Sequence, residues 1–386
     1  MLTHEENAVL TRVGPGTPGG ELLRRYWFPF CVAAELTPDN PTKFVRLLGE
    51  DLVAFRDKSG NVGLIQDHCA HRGASMLYGR VEERGISCAY HGWLYDTAGN
   101  CLETPAEPAE SRFHLTVKMK AYPVRRFVGL YWAYLGPQPA PEIPKYDIWA
   151  RKDGRRHLAV QPMLAANWFQ PTENAVDIAH GFILHQEFIA RGKPVANTTR
   201  GLQDEVVEEK WWRVPYGIMK RRLRTNGDVD EHPYIFPNIL RVFTETQIRV
   251  PVDDTHTQIF RVGFEPTPDG SVIEDEDESS VKYVAPYKSP PDGIHPEARF
   301  DTRIEVQAQD HMAWETQGQI ADRTAERLAT SDRGIVMLRE MMFENIARVQ
   351  QGLDPLNVIR DPNHAVIDTN VDNEFRRPER RARALA

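Results

Sequence analysis

The stretch Cys69–Trp93, CAHRGASMLYGRVEERGISCAYHGW, sets a cysteine close to a histidine twice: Cys69-x-His71, a gap of sixteen residues, then Cys88-x-x-His91. The chain has four cysteines in all, so half of them fall in this one stretch. Two soft thiolates and two imidazoles in two short, turn-rich loops form a metal-ligand pattern. Chance pairing of a buried cysteine with a hydrogen-bonded histidine is common, but its repetition in matching loops argues against chance. Structural zinc also accepts two thiolates and two imidazoles. Zinc fingers, however, usually take two cysteines from one knuckle and two histidines from a later helix, whereas each loop here gives one of each.

A Rieske [2Fe–2S] centre is the third reading, with two cysteines on one iron and two histidines on the other. The alternating order suits it, because each loop then touches both irons. Gly73 and Gly92 allow the backbone to approach closely and aim amides at the sulfurs. The pair CAHRG…CAYHGW resembles the Rieske motif of ring-hydroxylating, non-haem iron oxygenases. It departs from that motif at Ala70, where a proline commonly sits, and keeps every ligand.

Working outward, a chain of 386 residues has room for two domains and a core that needs no disulfides. A net charge of −8 and a pI of about 5.9 argue against nucleic acid as the main partner. The N-terminus lacks a signal pattern, and the longest apolar run, FVGLYWAYLG, is half a membrane span. Cys31 and Cys101 could pair, but a reducing, cytoplasmic setting is the simpler expectation. Residues 12–35 read as a Gly/Pro-rich loop opening a short amphipathic helix. From Lys43, short apolar runs split by Gly-Glu-Asp and Lys-Ser-Gly-Asn predict strands. Pro137, Pro139, Pro141 and Pro144 interrupt any regular element and mark the expected domain boundary. Beyond it, a hairpin is predicted to turn at Asp253-Asp254-Thr255. Helices are predicted over 166–185, 310–330 and from Ile335 to Gln351, a solvated loop at 274–280, and a frayed tail.

The second candidate site lies in NWFQPTENAVDIAHGFILH, with Asn167, Glu173, Asn174, Asp177, His180 and His185. On a helix Asp177 and His180 would share a face. His180 and His185, five apart, could reach one ion only if the helix bends or ends near Gly181. Two capped or surface histidines are the plain alternative. By resemblance, Asn174-x-x-Asp177-x-x-His180-x4-His185 matches the mononuclear-iron motif of the same oxygenases. Two histidines and a carboxylate then make the facial triad for Fe(II). Candidates for the carboxylate are Asp301, Glu305, Asp310, Glu315 and Asp322. QDHMAWETQGQIADRTAERLATSD is similar to the phthalate dioxygenase branch, which implies Asp310, with Glu315 as runner-up. Asp322, Arg323, Glu326 and Arg327 read as a charged helix face.

The resemblance implies an α+β chain. Residues 1–140 would form an all-β Rieske domain with an N-terminal helical segment, and residues 141–386 a helix-grip-like catalytic domain with an antiparallel sheet. It implies a [2Fe–2S] cluster on Cys69, His71, Cys88 and His91, and Fe(II) on His180, His185 and Asp310. Asp177 would bridge His180 to His91 of a neighbouring subunit, with Asn174 beside it, in a homotrimer or stacked trimers. No nucleotide-binding glycine fingerprint is present, so a separate reductase would bring electrons from NAD(P)H. The implied activity is that of a terminal oxygenase using O2 on a substituted aromatic compound, by hydroxylation or oxidative dealkylation. Ring cis-dihydroxylation of a phthalate-like carboxylate is the alternative. An iron–sulfur electron carrier and a zinc-stabilised binding protein are the readings from other classes. Arg221, Arg222, Arg224, Arg241 and Arg249 could each hold a substrate carboxylate, with Phe236 and Phe243 as pocket residues.

Overall fold

The computed structural model describes residues 1–186, 206–273, 281–284 and 306–369. The expected loop at 274–280, the tail, Asp301 and Glu305 lie outside them. The chain opens with α1 (His4–Thr11), started by a capping box in which Thr3 and Glu6 satisfy each other's backbone donors. Thr17 caps α2 (Pro18–Leu23), with Pro18 in the first turn, where its missing N–H costs nothing. The helix expected to run on towards residue 35 stops there. Residues 27–32, WFPFCV, are wholly buried and form strand β1 (Trp27–Val32).

The strand pattern then follows the turn signals. β2 (Thr42–Leu47), β3 (Glu50–Arg56), β4 (Val62–Gln66) and β9 (Ala121–Tyr122) make one four-stranded sheet. β5 (Arg80–Glu82), β6 (Gly85–Ser87), β7 (Leu94–Tyr95) and β8 (Cys101–Glu103) make a second, which carries the Cys/His loops. β1 pairs with β11 (Leu130–Tyr134), which pairs with β10 (Val124–Phe127). After the proline-rich stretch and the short α3 (Asp147–Ala150) comes an eight-stranded sheet, built from β12 (Gly154–Val160), β13 (Val206–Val214), β14 (Gly217–Arg224), β15 (Val229–Ile235), β16 (Ile239–Val242), β17 (Glu245–Pro251), β18 (Thr257–Pro266) and β19 (Val281–Tyr283). Its order is β13-β14-β15-β16-β17-β18-β12-β19. It is antiparallel except where β19 runs parallel to β12, and the hairpin predicted at residues 253–255 joins β17 to β18.

The helix expected over 166–185 is two short pieces, α4 (Phe169–Asn174) and α5 (Ala179–Ile183). The helix expected over 310–330 is α6 (Val306–Glu315), followed by an irregular segment to Ala329. Asp322, Arg323, Glu326 and Arg327 therefore share no helix face. Arg323 is buried, stacked on Phe169 and paired with Glu173. The last helix, α7 (Arg333–Gln350), buries the stripe Leu338, Met341, Met342, Ile346 and Val349 at helical spacing.

One apolar core runs from β1 and β11 through the large sheet to α7. A smaller one, with Val53, Phe55, Ile65, Met76, Ile86, Tyr95 and Met119, lies under the Cys/His loops. Cys31 belongs to the first and Cys101 to the second, and both are free thiols. Among the described residues no helix is long and apolar enough to cross a membrane.

Candidate metal centres

The two Cys/His loops are built alike. In the first, the Cys69 N–H donates to Ala74 O and the Gly73 N–H to Cys69 O, both at 2.9 Å. In the second, the Cys88 N–H donates to Trp93 O and the Gly92 N–H to Cys88 O, again at 2.9 Å. Gly73 and Gly92 occupy the same place in each loop with φ of +73° and +72°, where a side chain would strain the backbone. CAHRGA and CAYHGW are thus one six-residue turn used twice.

Cys69 and Cys88 point into the small core, buried and close enough to interact, and burial pushes the Cys69 thiol up. The Tyr95 hydroxyl lies 3.4 Å from Cys69 Sγ. His71 and His91 sit at the rim with ring centroids 4.5 Å apart, and His71 is stacked on Trp93 at 4.3 Å. Two inward thiols side by side, facing two rim imidazoles, fit a two-iron cluster with one iron on each kind of ligand.

The second group forms where α5 ends. Asp177 lies in the break between α4 and α5, not on a helix face shared with His180. Its Oδ1 accepts from the Ala179 N–H at 2.8 Å, which pins the start of α5. α5 stops at Ile183, so the helix ends before His185 as the spacing required, although Gly181 itself is helical. His180 and His185 then face each other with centroids 5.4 Å apart, and Asp310 comes across from α6. One ligand atom from each of His180, His185 and Asp310 lies within 4.8 Å of the others.

The outer nitrogens face polar groups. His185 Nδ1 sits 2.6 Å from Gln309 Oε1, so its N–H is held there while Nε2, 3.1 Å from Asp310 Oδ1, faces inward. His180 Nδ1 lies 3.2 Å from Asp177 Oδ2, a close contact bent away from good hydrogen-bond geometry. Burial alone would raise the Asp177 carboxyl, but His180 and Lys220 together hold it below its ordinary value. Burial alone would lower His185, and Asp310 and Gln309 outweigh it to raise the imidazole. Two imidazoles, one with its outer nitrogen held by Gln309 and the other beside Asp177, converging on one carboxylate, fit the facial triad of mononuclear iron.

Other candidates fall elsewhere. Glu315 accepts from the Ala165 N–H at the end of α6 and is not in the group. Asp322 caps its own loop through Thr324. Arg241 is buried in a network with Asp147 and Thr369, and Arg249 donates to Pro171 O and Gln247 O. Both are 1% exposed and already paired, so neither is placed to hold a substrate carboxylate. Phe236 is a core residue packed on Tyr26. Arg222 does face the site, donating to Ile178 O and lying 3.7 Å over the Phe182 ring. Lys220 and His232 were missed. Strand alternation places Lys220 on the same face as Ile218 and Arg222, but only the packed sheet shows that this face is covered.

Comparison with known proteins agrees with this geometry. Residues 26–123 match the family described as Rieske [2Fe-2S] domain, and residues 297–368 the one described as LigXa C-terminal domain like. The 5,5'-dehydrodivanillate O-demethylase oxygenase subunit of a Sphingobium species is 37% identical over 372 residues, covering 94% of this chain and 84% of that protein. The phthalate 4,5-dioxygenase oxygenase subunit of Pseudomonas putida is 34% identical over 393 residues, covering 91% of this chain and 88% of that one. Among solved structures, an oxygenase–ferredoxin complex of carbazole 1,9a-dioxygenase superposes with a TM-score of 0.63 at 18% identity, covering 94% of this chain and 98% of that one.

Proposed function

Because the chain belongs to the Rieske non-haem iron aromatic ring-hydroxylating oxygenases, as an alpha (terminal oxygenase) subunit, we propose that its reaction is the hydroxylation or oxidative dealkylation of a substituted aromatic compound. The converging His180, His185 and Asp310 carry the oxygenase part of this reading, because three protein ligands on an iron would leave positions for O2. The relative that names an O-demethylase supports dealkylation. We place the Rieske domain at residues 1–140 and the catalytic domain at 141–386. Cys69, Cys88, His71 and His91 would hold the [2Fe–2S] cluster, and His180, His185 and Asp310 the iron. When bound, the two groups supply electrons and O2 activation respectively.

The chain's own residues do the rest. Gln309 fixes the His185 tautomer, so that its inner nitrogen is the unprotonated one. Asp177, 3.2 Å from His180 Nδ1 in the break before α5, sets its negative charge beside that ring. About a quarter of the Asp177 side chain stays exposed, leaving one edge of the carboxylate to accept from His91 of a neighbouring copy. That contact needs a cyclic assembly, and we assign a homotrimer, working in the cytoplasm with a separate NAD(P)H-dependent reductase. Asn174, at the end of α4, lies beside this bridge; the Asp177 N–H donates to its main-chain oxygen at 3.1 Å.

The test is product analysis with 18O2 on methoxyarenes, N-alkyl anilides and aromatic acids. One labelled oxygen per turnover, with a phenol or released aldehyde, is expected. A cis-dihydrodiol carrying two labelled atoms would overturn the reading in favour of ring dihydroxylation.

A further inference from the structure

The inner face of β14 carries Ile218, Lys220 and Arg222 at every second position. This face lies on the segment that leads into α5. The Lys220 ammonium donates to the main-chain oxygen of Asp177 at 3.0 Å, three residues before His180. Across the ladder Lys220 is paired with His232 of β15, so the two side chains rise on the same face of the sheet.

Their hydrogen bonding does not close. An ammonium has three donors, yet among the described residues Lys220 Nζ meets this one acceptor, at 7% exposure. His232 Nε2 is shut off from solvent and has no partner among the described residues, although the ring itself is only partly covered. Phe243 lies against that ring in a T-shaped contact, 5.1 Å between centroids. Burial first, then Arg222 and Arg249, presses Lys220 down to about 7, while Asp177 and Asp310 pull it back. Burial, Lys220 and Arg222 hold His232 neutral, down to about 3. Buried polar groups in native proteins are rarely left unpaired, and here two stand side by side on the strand face that meets the segment leading to His180.

A missing partner must accept from the ammonium and bring negative charge. A cation would be repelled by Lys220. A neutral carbonyl offers one oxygen and no charge, whereas a carboxylate offers two oxygens and balances the ammonium. We propose that Lys220 and His232 form the subsite that holds a carboxylate of the aromatic substrate beside His180. This rests on the oxygenase reading above and adds the chemical class of the substrate.

The experiment is anaerobic titration calorimetry on the iron-loaded, full-length protein. Benzoate, 3-methoxybenzoate, 4-methoxybenzoate and phthalate are each compared with the corresponding amide. At least one acid is expected to bind about tenfold more tightly than its amide. Lys220→Met should remove that preference by weakening the acid about tenfold, with the amide within about twofold. His232→Leu, which keeps the ammonium, should weaken the acid by about threefold, and it serves as the second probe if Lys220→Met does not fold. Amides binding as tightly as acids to the wild type, no acid binding at about ten millimolar, or a preference that survives Lys220→Met would each overturn the subsite. Products separate this failure from that of the reaction: a dihydrodiol formed from an acid held by Lys220 would refute dealkylation and keep the subsite. Demethylation of neutral methoxyarenes without acid preference would do the reverse.

Discussion

Replacing Glu173 by Gln tests how the iron-site segment is held. Glu173, at the end of α4, receives Nε and Nη2 of both Arg323 and Arg339 at 2.5–3.0 Å. Arg323 is 1% and Arg339 6% exposed. Arg339 has a second carboxylate, Glu326, but among the described residues Arg323 meets no other carboxylate, its remaining acceptors being Asn7 Oδ1 and Ala321 O. Two arginines and two glutamates balance. The amide leaves one buried positive charge uncompensated and turns an NH2 towards a guanidinium. Breaking a buried pair from one side costs about 3–5 kcal/mol. Unfolding entropy for a chain of this length is about 0.8 kcal/mol per degree, so the expected fall in Tm is about 4–6 °C if the chain melts as one unit. Differential scanning calorimetry measures it, with the Rieske absorbance confirming a folded starting state. Glu326→Gln should cost less, because Glu326 is 22% exposed and Arg339 keeps Glu173. A Tm change below about 1 °C for Glu173→Gln, or an equal loss for both variants, would refute the reasoning.

Asp310→Ala should leave the Rieske spectrum unchanged and lower iron from about three atoms per chain towards two; full iron content would remove Asp310 from the ligand set. Asp177→Asn should keep both metals and slow reoxidation of the reduced cluster by O2 with substrate present, because an amide cannot accept on both edges; rapid, product-coupled reoxidation would sink the bridge. Glu50 joins Arg24, Lys120 and Tyr122, and although burial raises its carboxyl, these partners hold it below the ordinary 4.5. A depressed folded pKa stabilises above the unfolded value and is lost as pH falls. Glu50→Gln should therefore destabilise by about 1–3 kcal/mol at neutral pH, with the gap closing in urea titrations below about pH 4.5; a gap independent of pH would show that charge is not the cause.

The two Cys/His loops were legible because their proposed ligands are local. Cysteine, histidine and a left-handed glycine recur within six residues, and each loop closes on its own backbone hydrogen bonds. The turn signals between β2, β3 and β4 were legible for the same reason, and so was the helical stripe of α7. His180 and His185 were assigned by resemblance, and their spacing required a helix that bends or ends between them. In the fold Asp177 caps a second, shorter one, because its carboxylate takes the Ala179 N–H and breaks the chain before it.

Only tertiary structure decided the rest. Asp310 joins His185 from 125 residues away, and Glu173 meets Arg323 across 150. The alternating charges around Arg323 satisfy a helix-face pattern, but a buried guanidinium goes where its carboxylate is, and that partner is invisible to local periodicity. Lys220, Arg241 and Arg249 sit on strands whose alternation assigns each a face and leaves open whether that face meets water or protein. Sequence therefore determined the local geometry of the ligands. Burial and long-range pairing, which exist only once the sheet is covered, determined which charges act and on what.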